Sequence, residues 1–214
     1  MLAHESQKKE IMIIHVHPEN PQVRNIRTIV DTLEKGGIII YPTDTIYGLG
    51  CDIFQQKAIE RICRIKQVDP EKARLSFICH DLSDLSKYTK SISTPMYRML
   101  KTYLPGPYTF ILPASREVPK ILKSKKDTIG LRIPDNEIAR TIIRELGRPI
   151  LSTSLPGEMV EEYTDPELMH ENFKKLVDIV VDGGNGGMVP STIVDCTGEE
   201  PVVVREGLGV WEES

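Results

Sequence analysis

The sequence predicts an α/β protein, an open twisted sheet of mixed parallel and antiparallel strands covered by helices. Three observations predict it. Short apolar runs alternate along the chain with segments whose apolar residues recur at helical spacing. Gly, Pro, Asn and Asp punctuate the boundaries between them. The chain has 214 residues, 40% hydrophobic and 27% charged, which is enough to bury a sizeable core. One domain is expected over residues 13–210, after a polar N-terminal extension at residues 1–12.

Each element follows from its own residues. Residues 11–16 read as a first strand. Asn20 and Pro21 suit the cap and first position of a helix, whose apolar face is Val23, Ile26, Ile29, Val30 and Leu33 and whose stop is Gly36 with Gly37. Residues 38–41 are wholly apolar, as in a strand buried on both faces. Residues 42–50 read as a hydroxyl-rich loop ending in glycines. A helix is expected over 56–66, with Ile59, Ile62 and Cys63 inward, then a strand over 75–79. Thr94 and Pro95 open a helix that Leu104-Pro105-Gly106-Pro107 ends. Strands at 108–112 and 128–133 precede a helix over 137–146, with Ile138, Ile142 and Leu146 in register. A strand at 150–153, a helix opened by Asp165 and Pro166, and strands at 177–181, 192–195 and 202–205 complete about nine strands and five helices.

Composition excludes several classes. No window has the ~18 continuous apolar residues of a membrane span, and residues 1–10 are polar without the apolar core of a signal peptide, so a cytoplasmic location is expected. Cys51, Cys63, Cys79 and Cys196 contain no Cys-x-x-Cys pair and read as reduced, buried thiols. His15 and His17 alternate on one strand face but lack an evident third metal ligand, and no protein metal site is expected. His80 and His170 have no recognisable partner. The Gly-x-x-x-x-Gly-Lys-Ser/Thr phosphate loop, the Gly-x-Ser-x-Gly elbow and a Gly-x-Gly-x-x-Gly turn after a strand are all missing. The net charge of −4 divides unevenly. Residues 158–214 carry fourteen acids and three bases, giving −11, and residues 1–157 carry seventeen acids and twenty-four bases, giving +7. That polarity suits either an anionic ligand on the first part or an ordinary solvated surface.

In sheets of this kind ligands sit at strand ends. After the strand at 38–41 comes Pro42-Thr43-Asp44-Thr45, either a binding loop or a structural turn. Lys66, Lys72 and Arg74 lie in a stretch, residues 57–76, with six bases against three acids, which suits phosphate contacts or an exposed basic loop. Arg132, inside an apolar strand, needs an anionic partner, whether a ligand or a protein carboxylate. Arg205, after three valines, raises the same question. Ser152 and Ser154, with Ser191 and Thr192, put hydroxyls at strand ends, to meet phosphate and ribose oxygens or to cap turns. The set is arginine, lysine and hydroxyl without a covalent nucleophile, as suits binding or transfer at phosphates.

Five stretches, in this order, resemble the YrdC/YciO family: Tyr41-Pro42-Thr43-Asp44-Thr45 with Tyr47-Gly48-Leu49; Lys66-Gln67; Pro105-Gly106-Pro107-Tyr108-Thr109; Leu131-Arg132-Ile133-Pro134; and Ser152-Thr153-Ser154, followed by Ser191-Thr192-Ile193-Val194-Asp195 and Arg205-Glu206-Gly207. His17-Pro18-Glu19-Asn20-Pro21 and residues 60–65 look closest to the YciO branch. The resemblance implies a YrdC-like fold around a deep positively charged cavity. It also implies a nucleotidyltransferase that makes threonylcarbamoyl adenylate from ATP, L-threonine and bicarbonate, with Mg²⁺ carried on the phosphates and pyrophosphate released. That product serves modification of the adenosine beside the tRNA anticodon. By position, Thr43, Arg132 and Thr192 would hold threonine, with Arg132 on its carboxylate. Thr128, Ser152, Ser154 and Arg205 would line the nucleotide, and Lys66 would face its phosphates; Lys66 and Arg132 would be the catalytic pair.

The chain departs from the synthases twice. They show Lys-x-Arg where it has Lys66-Gln67-Val68, and Ser-x-Asn where it has Ser154-Leu155-Pro156. Lys72 or Arg74 is placed to replace the missing arginine. The alternative expectation is a protein that binds tRNA, double-stranded RNA or a nucleotide without efficient synthase activity.

Overall fold

The computed structural model describes residues 12–69, 75–122, 127–156 and 163–212. Along these the elements run β1 (Met12–His15), α1 (Val23–Glu34), β2 (Ile39–Tyr41), β3 (Gly48–Asp52), α2 (Gln56–Ile65), β4 (Ser76–Ile78), α3 (Leu82–Tyr88), α4 (Thr94–Tyr103), β5 (Tyr108–Pro113), β6 (Thr128–Arg132), α5 (Glu137–Leu146), β7 (Ile150–Ser154), α6 (Pro166–Phe173), β8 (Ile179–Asp182), β9 (Thr192–Asp195) and β10 (Val202–Arg205). The ten strands form one sheet in the order β1-β8-β2-β3-β7-β4-β6-β5-β9-β10. Neighbours are parallel at β1·β8, β8·β2, β4·β6 and β5·β9, and antiparallel at the other five junctions. The mixed α/β sheet expected from the sequence is the one observed. Among the described residues no helix is long and apolar enough to cross a membrane.

Alternation along the strands divides the core into two layers. On one face Ile40, Leu49, Phe77, Phe110, Leu131 and Leu151 pack against inward residues of α2, α3, α4 and α6. On the other, Ile39, Tyr41, Ile78, Ile150 and Ile179 pack against Ile26, Ile29 and Leu33 of α1 and Ile138, Ile142 and Ile143 of α5. Four helix starts carry a side-chain cap: Asp81, Ser93, Asn136 and Asp165 each accept from a first-turn amide. The start of α1 is an exception. Asn20 and Pro21 do not begin it; Gln22 is the N-cap and makes no side-chain capping bond. The preceding turn is closed instead by His17, whose Nδ1 accepts from the amides of Glu19 and Asn20 at 3.2 and 3.1 Å.

Two elements were not anticipated. Helix α3 is a short segment whose inward residues are Leu85 and Tyr88. Strand β3 falls where a loop was expected, because Gly48 and Gly50 read as turn residues. Their role is steric. The ring of Tyr41 on β2 crosses β3 to reach β7, donating its hydroxyl to Ser152 Oγ at 2.7 Å. A Cβ on Gly50 would sit 2.9 Å from the Tyr41 ring, 2.7 Å from Ile150 Cγ2 and 3.0 Å from the Leu151 carbonyl. At the other end of β3, fully buried Asp52 is forked by Arg148, through Nε at 3.0 Å to both oxygens and Nη2 at 2.7 Å. Hydrogen bonding to Asp52 raises the Arg148 pKa above its ordinary value. This pair ties β3 to the turn between α5 and β7.

The crossing of Tyr41 over β3 generates a stability prediction. Gly50→Ala forces the Tyr41 ring and Ile150 apart and is expected to cost about 1–3 kcal/mol. Urea denaturation monitored by circular dichroism measures it, and an unchanged midpoint would contradict the packing described.

Candidate functional site

The register places small residues side by side across four central strands. Gly50 of β3 pairs with Ser152 of β7, Ser152 with Ser76 of β4, and Ser76 with Gly130 of β6. All four lie on the face opposite Leu49, Leu151, Phe77 and Leu131, the face that α1 and α5 cover elsewhere. The result is a polar floor whose own row carries no large side chain, with the Tyr41 ring over its Gly50 end. Thr128 and Arg132 flank Gly130 on the same side of β6, and Ser154 follows Ser152 on β7.

Arg132 stands at the margin of this floor. Its side chain is 9% exposed, and the Asp44 side chain facing it is 10% exposed. Its Nη2 donates to Asp44 Oδ1, to Thr45 Oγ1 at 2.7 Å and to Thr43 Oγ1 at 3.4 Å. The loop that brings these groups is braced from within. Thr43 Oγ1 donates to the Ile46 carbonyl at 2.7 Å and accepts the Thr45 amide at 3.1 Å, while Gly187 N donates to the Thr45 carbonyl at 2.8 Å. Sequence reasoning left the partner of Arg132 open between a ligand and a carboxylate; in the free protein it is Asp44. The pairing is incomplete. Arg132 Nε and Asp44 Oδ2 are buried and have no hydrogen-bond partner among the described residues.

Lys66 reaches the floor from the opposite side. It caps the end of α2, where Gln67 takes a left-handed conformation at φ 53°. The turn closes through Gln67 N to the Arg64 carbonyl at 3.1 Å and Val68 N to the Cys63 carbonyl at 3.0 Å, a geometry that ordinarily favours glycine. Lys66 Nζ donates to the Ser154 carbonyl, Ser154 Oγ and the Leu155 carbonyl at 3.0, 3.2 and 3.3 Å. All three acceptors are uncharged, and burial lowers the Lys66 pKa below its ordinary value. Burial also pushes the Tyr41 phenol up to about 12, keeping it a donor to Ser152.

Of the remaining expected residues, Ser152 and Ser154 join the floor. Thr192 lies apart: it shares the face of Val194 on β9 and donates to the Gly209 carbonyl at 2.6 Å. On the face of Arg132 its neighbour Ser191 stands instead, 2.9 Å from the Thr109 hydroxyl. A shift of one residue along a strand reverses the face, which motif position alone could not reveal. Arg205 is exposed on edge strand β10, so the burial argument made for it does not hold. It donates Nε and Nη2 to the Ser191 carbonyl at 3.2 and 2.6 Å, joining β10 to the same corner. Lys72 and Arg74 lie outside the described residues. Val68, where the synthases carry arginine, is 37% exposed. Asp44, Thr45, Ser76 and Thr109 were not singled out. Asp44 and Thr45 had a signal, being adjacent to Thr43 in the same motif; Ser76 and Thr109 acquire meaning only through the register.

Among the described residues no three His, Cys, Asp or Glu side chains group as metal ligands. A surface hollow of about 480 Å³ beside α3 and α4 is lined by Ser86, Thr89, Lys90, Ile92 and Tyr97 and contains none of these site residues.

These features define a class: an α/β protein with a polar sheet surface, served by one arginine paired with a carboxylate, by a lysine on uncharged acceptors among the described residues, and by aligned hydroxyls, suited to anions. The chain belongs to the Sua5/YciO/YrdC family, whose sequence profile, described as telomere recombination, matches residues 31–207. It is 46% identical to the uncharacterized protein YciO of Escherichia coli K12 over 198 residues, 91% of this chain and 95% of that one. The crystal structure of E. coli YciO superposes with a TM-score of 0.87 at 44% identity, covering 94% and 97% of the two chains. Sua5 of Pyrococcus abyssi, solved with L-threonine, superposes with a TM-score of 0.81 at 30% identity, covering 92% of this chain and 57% of that one. Family and fold together support a function of the threonylcarbamoyl-AMP synthase type.

The desolvated Lys66 makes a pH prediction. Its lowered native pKa means the unfolded state holds more protons between that value and the ordinary 10.5, so stability rises with pH across that window. Relative to Lys66→Met, the unsubstituted protein is expected to gain stability as pH rises through it. Parallel slopes in denaturant titrations from neutral to alkaline pH would contradict a desolvated ammonium here.

Proposed function

We propose that the protein binds L-threonine at Arg132 and ATP along the Lys66–Ser152–Ser154 side of the floor, and joins them as threonylcarbamoyl adenylate. In this reading the threonine amine combines with bicarbonate to give a carbamate and water. A carbamate oxygen then attacks the α-phosphorus. A new O–P bond forms, the bond to the β-phosphate oxygen breaks, and pyrophosphate leaves. The negative charges on carbamate and phosphate repel, so the protein's contribution is to hold them together before reaction. Mg²⁺ would arrive on the ATP phosphates and neutralise charge there; among the described residues a three-carboxylate cage for it is missing, which suits an ion held mainly by substrate. The Tyr41 ring lies over the Gly50–Ser152 end of the row, so close approach is proposed at its Ser76–Gly130 end, which Thr128, Ser191 and Arg205 border.

One observation carries the reading: a buried arginine with an unused donor and a desolvated lysine with only uncharged acceptors meet the same hydroxyl-bearing sheet surface. The homologue solved with L-threonine supports the choice of amino acid. Threonylcarbamoyl-AMP synthases such as that of Vibrio vulnificus, 30% identical over 189 residues, support the choice of reaction. The product would serve tRNA modification in the cytoplasm.

Val68 favours a second reading, in which the same surface binds tRNA, double-stranded RNA or a nucleotide with little turnover. An apolar residue now occupies the place of a phosphate-pairing arginine, and Pro156 stands where the synthases have asparagine.

Pyrophosphate release from ATP, L-threonine and bicarbonate decides between them. The synthase reading expects turnover that depends on all three substrates and falls roughly 10²–10³-fold in Arg132→Ala, equivalent to ~3–4 kcal/mol. Release no higher than without protein overturns it. Restoring the missing cation supplies a further check: Val68→Arg is expected to raise kcat/KM by about tenfold or more if phosphate neutralisation limits the rate. Under the binding reading, RNA affinity instead falls linearly in log salt and Val68→Arg leaves pyrophosphate at background.

A further inference from the structure

The unfinished ion pair at Arg132 has a consequence for which acids the site accepts. The guanidinium carries one positive charge, Asp44 one negative charge, and both side chains are about nine-tenths buried. The free site is therefore neutral and occupied by a carboxylate of the chain itself. One nitrogen, Nη2, meets Asp44, Thr43 and Thr45 together, while Nε has no partner among the described residues. A carboxylate docking side-on to a guanidinium uses Nε and Nη2 as a pair. Its arrival requires Asp44 to yield Nη2. Thr43 and Thr45 are pinned by their own hydrogen bonds, so the yielding part is the Asp44 side chain.

The displaced carboxylate then decides selectivity. If the incoming molecule is a plain carboxylic acid, two carboxylates share one guanidinium, and a negative charge is left buried without a partner. Like charges a few ångströms apart in such a setting repel strongly. If the incoming molecule is an α-amino acid, its carboxylate takes Arg132 and its ammonium takes Asp44, whose Oδ2 is the buried acceptor without a partner among the described residues. Two ion pairs replace one and no net charge is added. We propose that Asp44 is the specificity-determining residue of this site, making it select zwitterionic α-amino acids over monoanionic carboxylates. The proposal rests on the reading of Arg132 as the amino-acid subsite and deepens it.

Calorimetric titration of the full chain tests it with two probes: L-threonine, and the dihydroxy acid that bears a hydroxyl in place of the amine. The unsubstituted protein is expected to prefer L-threonine by about tenfold or more. In Asp44→Asn the buried negative charge is gone. The dihydroxy acid is then expected to bind about tenfold more tightly than to the unsubstituted protein, and the preference to shrink to about twofold. A merely structural role for Asp44 would weaken both ligands and could not produce that gain. Equal binding of the two probes by the unsubstituted protein, or an intact preference in Asp44→Asn, overturns the proposal. Arg132→Ala separates the two ideas. If it loses L-threonine while Asp44→Asn keeps its preference, only the role of Asp44 fails; if it binds L-threonine normally, or the unsubstituted protein does not bind it, the subsite itself is wrong. Should Asp44→Asn lack a folded circular dichroism spectrum, Asp44→Ser and the two-probe comparison on the unsubstituted protein carry the test.

Discussion

A guanidinium set into the interior of a β-sheet is the constraint around which the rest of this site is arranged. Leu131 and Ile133, its neighbours in sequence, are buried in the core on the opposite face, so the strand cannot turn Arg132 outward without exposing them. Burying an uncompensated charge is far costlier than burying a hydrogen-bonded pair, and the loop after β2 meets that demand with a carboxylate and two hydroxyls. Bringing that loop to Arg132 in turn requires β2 and β3 to form a tight antiparallel pair, which places Tyr41 against β3. Only glycines at positions 48 and 50 leave room for its ring. The glycine-rich motif, the tyrosine ahead of it and the arginine far along the chain are thus parts of one packing solution.

That linkage explains what could be read from the sequence. Element types were legible wherever period and punctuation agreed, as in α5, with Asn136 at its start and Gly147 in the left-handed conformation at its end. Strand β3 was not, because its composition follows from a neighbour's side chain rather than from its own strand propensity. Arg132 and Lys66 stood out by type and setting. Ser76, Thr109 and Ser191 did not, since a lone hydroxyl in a strand says nothing until the register aligns it with others. Thr192 shows the converse: its motif is conspicuous, yet its hydroxyl is spent on the C-terminal segment at Gly209.

The uneven charge of the sequence has a similar lesson. A basic part followed by an acidic part suggests two regions, but the topology interleaves them. Strand β8 from the acidic part lies between β1 and β2, and β9 lies beside β5. The charge relevant to the site is consequently local. It resides in a few buried groups, while the acids of the last part are distributed over both ends of the sheet.

Those few groups are treated in two different ways, and the difference has chemical meaning. Arg132 is paired in advance with Asp44, which lowers the cost of keeping it buried, and in the proposed subsite that pair would answer to the charge pattern of what enters. Among the described residues Lys66 donates to three uncharged oxygens, and burial lowers its pKa, so its charged form is disfavoured in a way that an entering polyanion would relieve. A protein that neutralised both would have less pull on phosphate; one that neutralised neither would carry a buried and a partly buried cation uncompensated. In the proposed reaction the amino acid exchanges into an already balanced pair and the nucleotide supplies the counter-charge that Lys66 lacks, so each substrate corrects a different imbalance. In that reading Val68 supplies no further cation, so the phosphate side would rest on Lys66.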